Sequence, residues 1–528
     1  MVELVDIIDY MKNIIKNKNI ASLNTKFILP ILFLTLSVFS QNKTREMSKL
    51  QIEQIERGYG MFIHFGVNTF NETEWSYGKL PAASYNPTDL DCDQWIKIAK
   101  EAGFRYVILV TKHLDGFCLW DSKYTDYDVA STGVKTDVVA EVAKACKKYN
   151  IKLGLYYSLW DTHEPSFKDH EKYALYMKNQ LTELMTNYGE VCELWFDAGW
   201  VKKEDEWQIP AVYKYVKEMQ PKCLLTVNHT IGKPENRNAK AEPMDFEHGD
   251  PVRYFPVDFR IKDPNLARFD DPKYYEFGNT LHYLPFEHTI CLSDRWNWFQ
   301  KKKTLAARPV DELEELFYWG TANNNIMIVN VPPDQTGQIR THEKNRILEL
   351  ADRLGIRGGK KKLPTGSENL SFKQKIVASS EFKEFTADKV NDFSLETYWK
   401  ANDSVADLEI TFDAKTTFDR IVLFENADMK DLGDKFSFIR SFKVEEYELQ
   451  SFSNGVWDTF YTGDVLGAAK IINLPNEIVA DRIRLKIIKS SGLPSISHFS
   501  VSRNASRGIR KVNKSKINSN FFSEVCTH

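Results

Sequence analysis

"CDQWIKIAKEAGFRYVILVTKH", residues 92–113, joins a helical pattern directly to a strand pattern. Four apolar residues recur at helical spacing and share one face: Trp95, Ile98, Ala99 and Ala102. Gly103 follows them and is expected to end the helix. The next run, residues 105–112, is apolar and β-branched, as in a buried strand. The stretch therefore predicts a helix followed at once by a strand of a covered sheet.

The same helix-then-strand unit recurs between residues 58 and 355. Further units are predicted at 136–150 with 151–158, 174–189 with 192–197, and 213–228. Such alternation predicts a parallel α/β fold. A (β/α)8-like (TIM) barrel is favoured over an open sheet because no glycine-rich phosphate loop follows any of these strands.

The rest of the chain divides around this barrel, which we place at residues 48–356. Residues 357–371 are rich in Gly, Lys and Pro and are interpreted as a linker. Residues 372–504 predict an all-β sandwich with strands at 407–413, 419–426, 440–450 and 481–490. The basic, polar residues 505–528 are predicted to be a disordered tail.

The composition is that of a globular protein and argues against nucleic-acid binding. The 528 residues carry a formal net charge of -3, with 42% hydrophobic and 27% charged residues, so nucleic acid is an unexpected partner. Aromatic residues make up 13%, which fits either sugar stacking or a large core. The seven cysteines are scattered without metal-ligand spacing and are interpreted as small buried apolar residues, which argues against a disulfide framework or a zinc site. No cofactor motif is identified elsewhere, so no cofactor is expected.

The N-terminal extension, residues 1–40, contains an apolar run at 27–40 that follows Lys26 and has the length of a signal peptide. Cleavage after Ser40 is expected, and the run is short for a membrane span. A retained or interfacial anchor helix is the alternative. Either interpretation predicts an exported protein, periplasmic or extracellular, with no other membrane contact.

Two carboxyl groups stand in apolar surroundings within the predicted barrel. Asp197 ends the strand of "ELWFDAGW" (193–200), and Glu287 lies in "YLPFEHTICL" (283–292). Two carboxyls held in different environments at a barrel mouth are the minimum apparatus for glycoside hydrolysis. The residues alone leave a structural alternative open, in which Asp197 caps a helix and Glu287 pairs with an arginine.

The barrel resembles glycoside hydrolase family 29, the retaining α-L-fucosidases. The resemblance rests on blocks in family order: "GMFIHFGVNTF", "TEW", "TKHLDGFCLWDS", "GLYYSLWD", "ELWFDAGW", "FEHTICLSDRWNW" and "NNNIMIVNVPPDQTGQI". It implies Asp197 as the nucleophile and Glu287 as the acid/base, held about 5–5.5 Å apart. It implies no metal, and a fucosylated oligosaccharide or glycoconjugate as substrate.

The resemblance also implies which residues line the fucose pocket: His64, Glu74, Trp75, His113, Tyr157 and Trp195. Imidazoles and a carboxylate suit sugar hydroxyls, and an indole face suits the apolar side of fucose. The pocket arginine is expected to be Arg253 or Arg260. Core or strand-end structural roles are the alternative for each pocket residue.

The sequence departs from the family pattern in two places. The usual second histidine of "HHDGF" is Leu114 here, which removes one expected hydroxyl contact. The irregular segment around 229–283 contains three rivals to Glu287 as acid/base: Glu242, Asp245 and Glu247.

The C-terminal sandwich resembles discoidin-like (F5/8 type C) modules. It could bind glycan or only brace the barrel, and a structural calcium ion there is left open. Two alternatives to an α-L-fucosidase remain at this point. One is a glycosidase of related specificity, such as a galactosidase, and the other is a catalytically silent glycan-binding protein.

Overall fold

A computed structural model describes residues 43–232, 252–263, 266–293, 296, 298–299, 306–359, 361–434 and 437–503. The strands of its N-terminal part are β1 (Lys43–Arg45), β2 (Tyr59–Ile63), β3 (Tyr106–Lys112), β4 (Lys152–Ser158), β5 (Val191–Asp197), β6 (Leu224–Val227), β7 (Arg260–Ile261), β8 (Tyr274–Phe277), β9 (Thr280–Tyr283), β10 (Phe286–Cys291) and β11 (Ile326–Asn330). The helices are α1 (Lys49–Arg57), α2 (Cys92–Glu101), α3 (Val138–Tyr149), α4 (His170–Asn187), α5 (Ile209–Met219), α6 (Val310–Thr321) and α7 (Thr341–Leu354).

Eight of these strands form one parallel sheet in the order β6-β5-β4-β3-β2-β11-β10-β7. Its two edges approach each other: the Thr226 hydroxyl donates to the Phe259 carbonyl at 2.7 Å, and the Asp258 amide donates to the Leu225 carbonyl at 2.8 Å. The sheet therefore almost closes on itself, which confirms the predicted (β/α)8-like barrel. Strands β1, β9 and β8 form a small separate sheet.

The stretch at 92–113 folds as predicted. The Asp91 side chain caps α2 by accepting a hydrogen bond from the Gln94 amide at 2.9 Å, and the predicted apolar face is buried. Gly103 has a φ of +83°, and a Cβ there would meet the Ile356 carbonyl at 2.6 Å. Only glycine fits this turn, and β3 starts three residues later, at Tyr106.

Helix α1 covers the N-terminal end of the barrel. Its Leu50 and Ile55 pack against the apolar residues inside the barrel. The Gln51 amide group donates to the carbonyls of Asp258 and Tyr283 at 2.7 Å each. The end of the barrel opposite the strand C-termini is thus filled, and the C-terminal ends are the open face.

The C-terminal part is all-β. Its strands are β12 (Lys375–Ala378), β13 (Trp399–Lys400), β14 (Ala406–Glu425), β15 (Asp428–Asp434), β16 (Ser437–Ser441), β17 (Val444–Ser453), β18 (Val456–Gly463), β19 (Lys470–Ser490) and β20 (Ser495–Ser502). The larger sheet has the order β13-β20-β14-β19-β17-β18, with β12 on β14, and β15 pairs with β16 separately.

Two strand predictions here are wrong. The strand predicted at 440–450 covers the end of β16 and most of β17, which residues 442–443 separate. The strands predicted at 407–413 and 419–426 are one strand, β14, whose pairing with β19 shifts register between Thr411 and Thr416. The irregularity bends the strand without ending it, so both halves stay in the ladder. Sequence alternation breaks at a bulge much as it does at a turn, which explains this second error.

The all-β part packs against the barrel through α6. Arg440 donates to both carboxylate oxygens of Glu312 at 3.0 and 3.1 Å, and Arg420 pairs with Glu315 at 2.9 Å. Three apolar residues of this part belong to the core cluster of the barrel: Val422, Phe424 and Ala469. These contacts support the bracing role considered for the C-terminal part.

The expected absence of disulfides, membrane spans and metal sites can be compared only with the described residues. Six cysteines lie in the described ranges, and all six are buried free thiols. Over the same ranges, no helix is long and apolar enough to cross a membrane. Nor do the described His, Cys, Asp and Glu residues form a group of three or more that could hold a metal ion. The segments 1–40 and 505–528 lie outside the described residues.

Candidate active site

The C-terminal ends of the barrel strands bring polar side chains together at one mouth. Asp197 is the last residue of β5, and its half-buried carboxylate is bound on both sides. The Tyr156 hydroxyl donates to its Oδ2 at 2.6 Å, and the Asn228 side-chain amide donates to its Oδ1 at 2.9 Å. Burial raises the pKa of Asp197, while these two donors and the Ala198 amide lower it. The donors therefore favour the ionised form.

Two histidines stand beside Tyr156, the residue that donates to Asp197. His64 follows β2, and its Nδ1 lies 2.9 Å from the Asn330 side-chain oxygen. His113 follows β3 and stacks on the Tyr156 ring, with centroids 6.2 Å apart and planes 13° from parallel. Burial lowers the pKa of His64 well below its usual value and that of His113 to about 3. Both rings are therefore neutral. His64 donates its one N–H to Asn330, so its Nε2 can only accept from a sugar hydroxyl, while His113, whose Nδ1 has no hydrogen-bond partner among the described residues, can donate through one nitrogen and accept through the other.

Glu74 and Trp75 lie on the loop after β2. The Glu74 carboxylate accepts a hydrogen bond from the Trp296 indole, and the Trp296 ring meets His64 edge-on at 4.7 Å. Trp75 is half-buried and meets Trp160 edge-on at 6.5 Å. The structure thus brings Glu74 to the mouth with the histidines, and Trp75 adjoins it.

A third carboxyl at the mouth, Asp263, was not predicted. It lies two residues after Ile261 of β7, and its own amide donates to the Asn228 side-chain oxygen at 2.9 Å. Asn228 therefore links Asp263 to Asp197. The Asp263 Oδ1 is buried without a hydrogen-bond partner among the described residues. Burial, then the charges of Asp197 and Glu74, raise the pKa of Asp263 well above its usual value.

Tyr157 does not line the pocket, so that prediction is wrong. Its hydroxyl accepts from the Lys112 ammonium at 2.9 Å and donates to the Gln180 side chain at 2.8 Å, on the outer side of β4. Neighbouring residues of a strand point to opposite faces, so Tyr156 is the tyrosine that faces the barrel interior. The error is a shift of one residue in the motif "LYYS".

Glu287 also lies elsewhere than predicted. It is the second residue of β10, near the N-terminal end of the strand, and is fully buried. It accepts hydrogen bonds from the Tyr106 hydroxyl at 2.5 Å and the Trp195 indole at 2.8 Å. The prediction that the Glu287 carboxyl lies at the mouth is therefore wrong. A residue near the start of a barrel strand lies at the end of the barrel opposite the mouth.

Trp195 occupies the layer beneath Asp197. It precedes Asp197 by two residues on β5, which is about 7 Å along the strand. Its side chain is fully buried and meets the Phe62 ring edge-on at 4.9 Å. The predicted exposed indole surface is therefore not found, and Trp195 can only support the pocket from below.

The two candidate arginines have different surroundings. Arg260 lies on the outer side of β7, fully buried, with its guanidinium bound to Asp271, the Tyr275 hydroxyl and the Leu284 carbonyl. Its predicted pocket role is wrong because β7 points it away from the barrel interior. Arg253 follows β6 on the mouth side and donates to Glu204 at 3.2 Å.

The remaining site predictions concern Leu114 and the three rival acids. Leu114, which replaces the expected second histidine, is buried beside His113 in the loop after β3. The three rival acids, Glu242, Asp245 and Glu247, lie outside the described residues. Sequence reasoning missed Tyr156, Asn228 and Asp263. Tyr156 and Asn228 follow from local pattern, since Tyr156 lies on the inward face of β4 and Asn228 comes directly after the buried strand β6, whereas Asp263 lies two residues after the short strand β7 and has no such local signal.

Comparison with known proteins agrees with this geometry. The family model described as "Alpha-L-fucosidase" matches residues 35–359, more than half of the chain. "Alpha-L-fucosidase 1" of Arabidopsis thaliana is 29% identical over 460 residues, covering 83% of this chain and 84% of the relative. "Tissue alpha-L-fucosidase" of Mus musculus is 24% identical over 343 residues, covering 57% and 69%.

Among solved structures, alpha-L-fucosidase isoenzyme 1 from Paenibacillus thiaminolyticus has 22% identity and a TM-score of 0.50. The match covers 86% of this chain and 99% of that one, and at this identity it bears on the fold alone. The family match rests on the barrel that carries Asp197 and its neighbours. The chain therefore belongs to the alpha-L-fucosidase family.

Proposed function

We propose that the protein is an exo-acting α-L-fucosidase that releases terminal α-L-fucosyl residues from glycans with net retention. The observation that carries the proposal is the arrangement of Asp197 and Asp263 at the barrel mouth, joined through Asn228. Retaining glycosidases need one ionised carboxylate and one protonated carboxyl close to each other. Burial raises the pKa of both aspartates, but among the described residues only Asp197 has hydrogen-bond donors that oppose this effect, whereas the charges of Asp197 and Glu74 raise the pKa of Asp263 further.

Asp197 is the proposed nucleophile. Its carboxylate accepts hydrogen bonds from Tyr156 and Asn228, which stabilise the charge that a nucleophile must carry. One of its oxygens attacks the anomeric carbon as the bond from that carbon to the leaving oxygen breaks. The product of this step is a β-linked fucosyl ester on Asp197.

Asp263 is the proposed acid/base, in place of Glu287. Its raised pKa keeps a proton available, and its Oδ1, which has no hydrogen-bond partner among the described residues, is the oxygen that can donate that proton. In the first step Asp263 gives its proton to the leaving oxygen. In the second step it takes a proton from water, whose oxygen bonds to the anomeric carbon and frees Asp197.

Azide separates the two roles by the stereochemistry of the product. In Asp197→Gly, azide enters on the face that the nucleophile has vacated, so an activated aryl α-L-fucoside should give β-fucosyl azide. In Asp263→Gly the fucosyl ester still forms from such a substrate, and azide should take the place of water to give α-fucosyl azide. Loss of both products with folded variants, or α-azide from Asp197→Gly, would contradict the assignment.

The pH dependence gives a second test of Asp263. A general acid must hold its proton, so kcat/KM should fall as pH rises through the pKa of Asp263. Asp263→Asn should remove this alkaline limb while leaving the acid limb that reports Asp197. If the alkaline limb is unchanged, the acid/base is another group, and Glu242, Asp245 and Glu247 are the variants to make next.

Substrate class is tested with matched aryl glycosides. L-Fucose is 6-deoxy-L-galactose, so aryl α-L-galactoside is the substrate that differs from aryl α-L-fucoside only at the sixth carbon; both should be assayed beside aryl β-D-galactoside, which tests the galactosidase alternative. The proposal expects hydrolysis of the fucoside well above both galactosides. A folded protein that hydrolyses none of them would support a glycan-binding role, and a preference for a galactoside would support a related glycosidase.

Export is part of the proposal and is supported by sequence alone. The apolar run at 27–40 has signal-peptide length. Expression of the full chain in a bacterial host, followed by fractionation and intact mass, should give a periplasmic product shortened near Ser40. A full-length product that remains in the cytoplasm would contradict it.

A further inference from the structure

Two glutamates face each other inside the barrel, beneath the mouth. Glu193 of β5 and Glu287 of β10 are both fully buried. Among the residues that the structure describes, one cation accompanies them: Arg57 of α1 forms a salt bridge with Glu193 Oε1, to which Gln54 also donates at 3.1 Å. One positive charge balances one carboxylate, so two ionised glutamates would leave a buried excess of negative charge.

The hydrogen bonds indicate where a proton can lie. Both oxygens of Glu287 accept hydrogen bonds, Oε1 from Trp195 and Oε2 from Tyr106. The second oxygen of Glu193, Oε2, is buried and has no hydrogen-bond partner among the described residues. A proton on Glu287 directed at that oxygen would satisfy it and remove the excess charge.

Electrostatics agree with this geometry. Burial, followed by the negative charge of Glu193, raises the pKa of Glu287 well above its usual value. The other titratable groups that face the pair are the Arg57 guanidinium, the Tyr106 hydroxyl and the Cys192 thiol. Burial raises the pKa of both Tyr106 and Cys192, so neither supplies a competing negative charge.

We propose that Glu287 is a positioning residue that shares one proton with Glu193 and fixes the Trp195 indole beneath Asp197. Trp195 lies on the same strand as Asp197, and its ring contacts Phe62. Phe62 in turn contacts His64 at 4.3 Å and Tyr156 at 5.9 Å between ring centroids. The Glu287 carboxyl therefore does not contact the mouth itself. It holds Trp195, which packs on Phe62, and Phe62 packs on His64 and Tyr156.

The proton itself can be observed without an activity assay. An infrared spectrum of the wild type at neutral pH should contain the C=O band of a buried carboxylic acid, which shifts in D2O. Because Asp263 also holds a proton, the two acids are separated by difference spectra: wild type minus Glu287→Gln should contain one carboxylic C=O band, and wild type minus Asp263→Asn should contain a different one. A wild type minus Glu287→Gln difference spectrum that shows only ionised carboxylate would overturn the proposal.

Activity separates positioning from proton transfer, and this readout rests on the proposed function. The amide that Glu287→Gln introduces can still accept from Trp195 and donate to Glu193, so kcat/KM should stay within a few-fold of wild type. Glu287→Met can do neither, and kcat/KM should fall about tenfold to a hundredfold, as small displacements of a site do. Both pH limbs should keep their positions in both variants.

Two outcomes would overturn the positioning role. One is an alkaline limb lost in Glu287→Gln, or α-fucosyl azide formed by that variant, since either would make Glu287 the acid/base. The other is a folded Glu287→Met with wild-type kcat/KM. If Glu287→Met does not fold, the infrared comparison still decides. If the wild type hydrolyses no fucoside, only the proposed function fails, because the infrared result is independent of it.

Discussion

The substitution Tyr156→Phe removes one hydrogen-bond donor from the proposed nucleophile, Asp197. The hydroxyl donates to Asp197 Oδ2 at 2.6 Å, and the phenyl ring that remains can keep its stacking on His113. Asp197 would retain the Asn228 side chain and the Ala198 amide as donors. The substitution therefore tests one hydrogen bond with little change in packing.

The magnitude follows from the charge of the acceptor. A hydrogen bond to a charged group contributes about 1.5–3 kcal/mol. One pKa unit corresponds to about 1.4 kcal/mol, so losing the bond should raise the pKa of Asp197 by about 1–2 units. Burial already raises this pKa, and Tyr156 opposes that effect. Because the nucleophile must be ionised, the acid limb of kcat/KM should move up by the same 1–2 pH units.

The assay is kcat/KM for an aryl α-L-fucoside measured across pH, with Tyr157→Phe as the matched control. Tyr157 is the next residue on β4 but bonds to Lys112 and Gln180 outside the barrel interior. Tyr157→Phe should lower thermal stability and leave the acid limb in place. An unmoved limb in Tyr156→Phe, or an equal shift in Tyr157→Phe, would refute the reasoning.

Three further predictions concern other described contacts. Asn228→Ala should move the acid limb of kcat/KM up by about one pH unit because it removes the second donor to Asp197, and an unmoved limb would count against this. Arg260→Met should destabilise folding by about 1.5–3 kcal/mol in denaturant titrations at neutral pH, since it removes the guanidinium from a buried aspartate, Asp271, whose pKa Arg260 and Lys273 hold below its usual value against the effect of burial, and leaves only Lys273 as its ionic partner among the described residues. That loss should shrink as pH falls and the Asp271 carboxyl is protonated, so a loss independent of pH would contradict it. Arg440→Ala should lower stability by about 1–3 kcal/mol through its bidentate pair with Glu312 while leaving KM for a small aryl fucoside unchanged, and a raised KM would give this contact a role in the pocket.

Much of the barrel was predictable because its patterns are local. The helix at 92–101, its end before Gly103 and the strand after it follow from spacing and one glycine. Asp197 was predictable for the same reason, since it ends an apolar strand. The long strand β14 was not, because a bulge interrupts alternation without ending the pairing.

The placement of site residues needed information that lies beyond local pattern. Tyr156 and Tyr157 are adjacent and chemically identical, and only the pleat decides which one faces Asp197. Glu287 sits in a motif that matches the family, yet its position near the start of β10 puts it under the mouth. Asp263 depends on how β7 meets β10 and β6, which is a long-range contact.

Covalent trapping tests the central claim most directly. A 2-deoxy-2-fluoro-α-L-fucosyl fluoride should react with the wild type, because fluoride leaves readily and the 2-fluoro group slows hydrolysis of the ester formed. Peptide mass spectrometry should then find one fluorofucosyl group, attached to Asp197. A label on Asp263, Glu287 or another residue, or turnover of aryl fucoside by an enzyme that is never labelled, would contradict the assignment of Asp197 as the nucleophile.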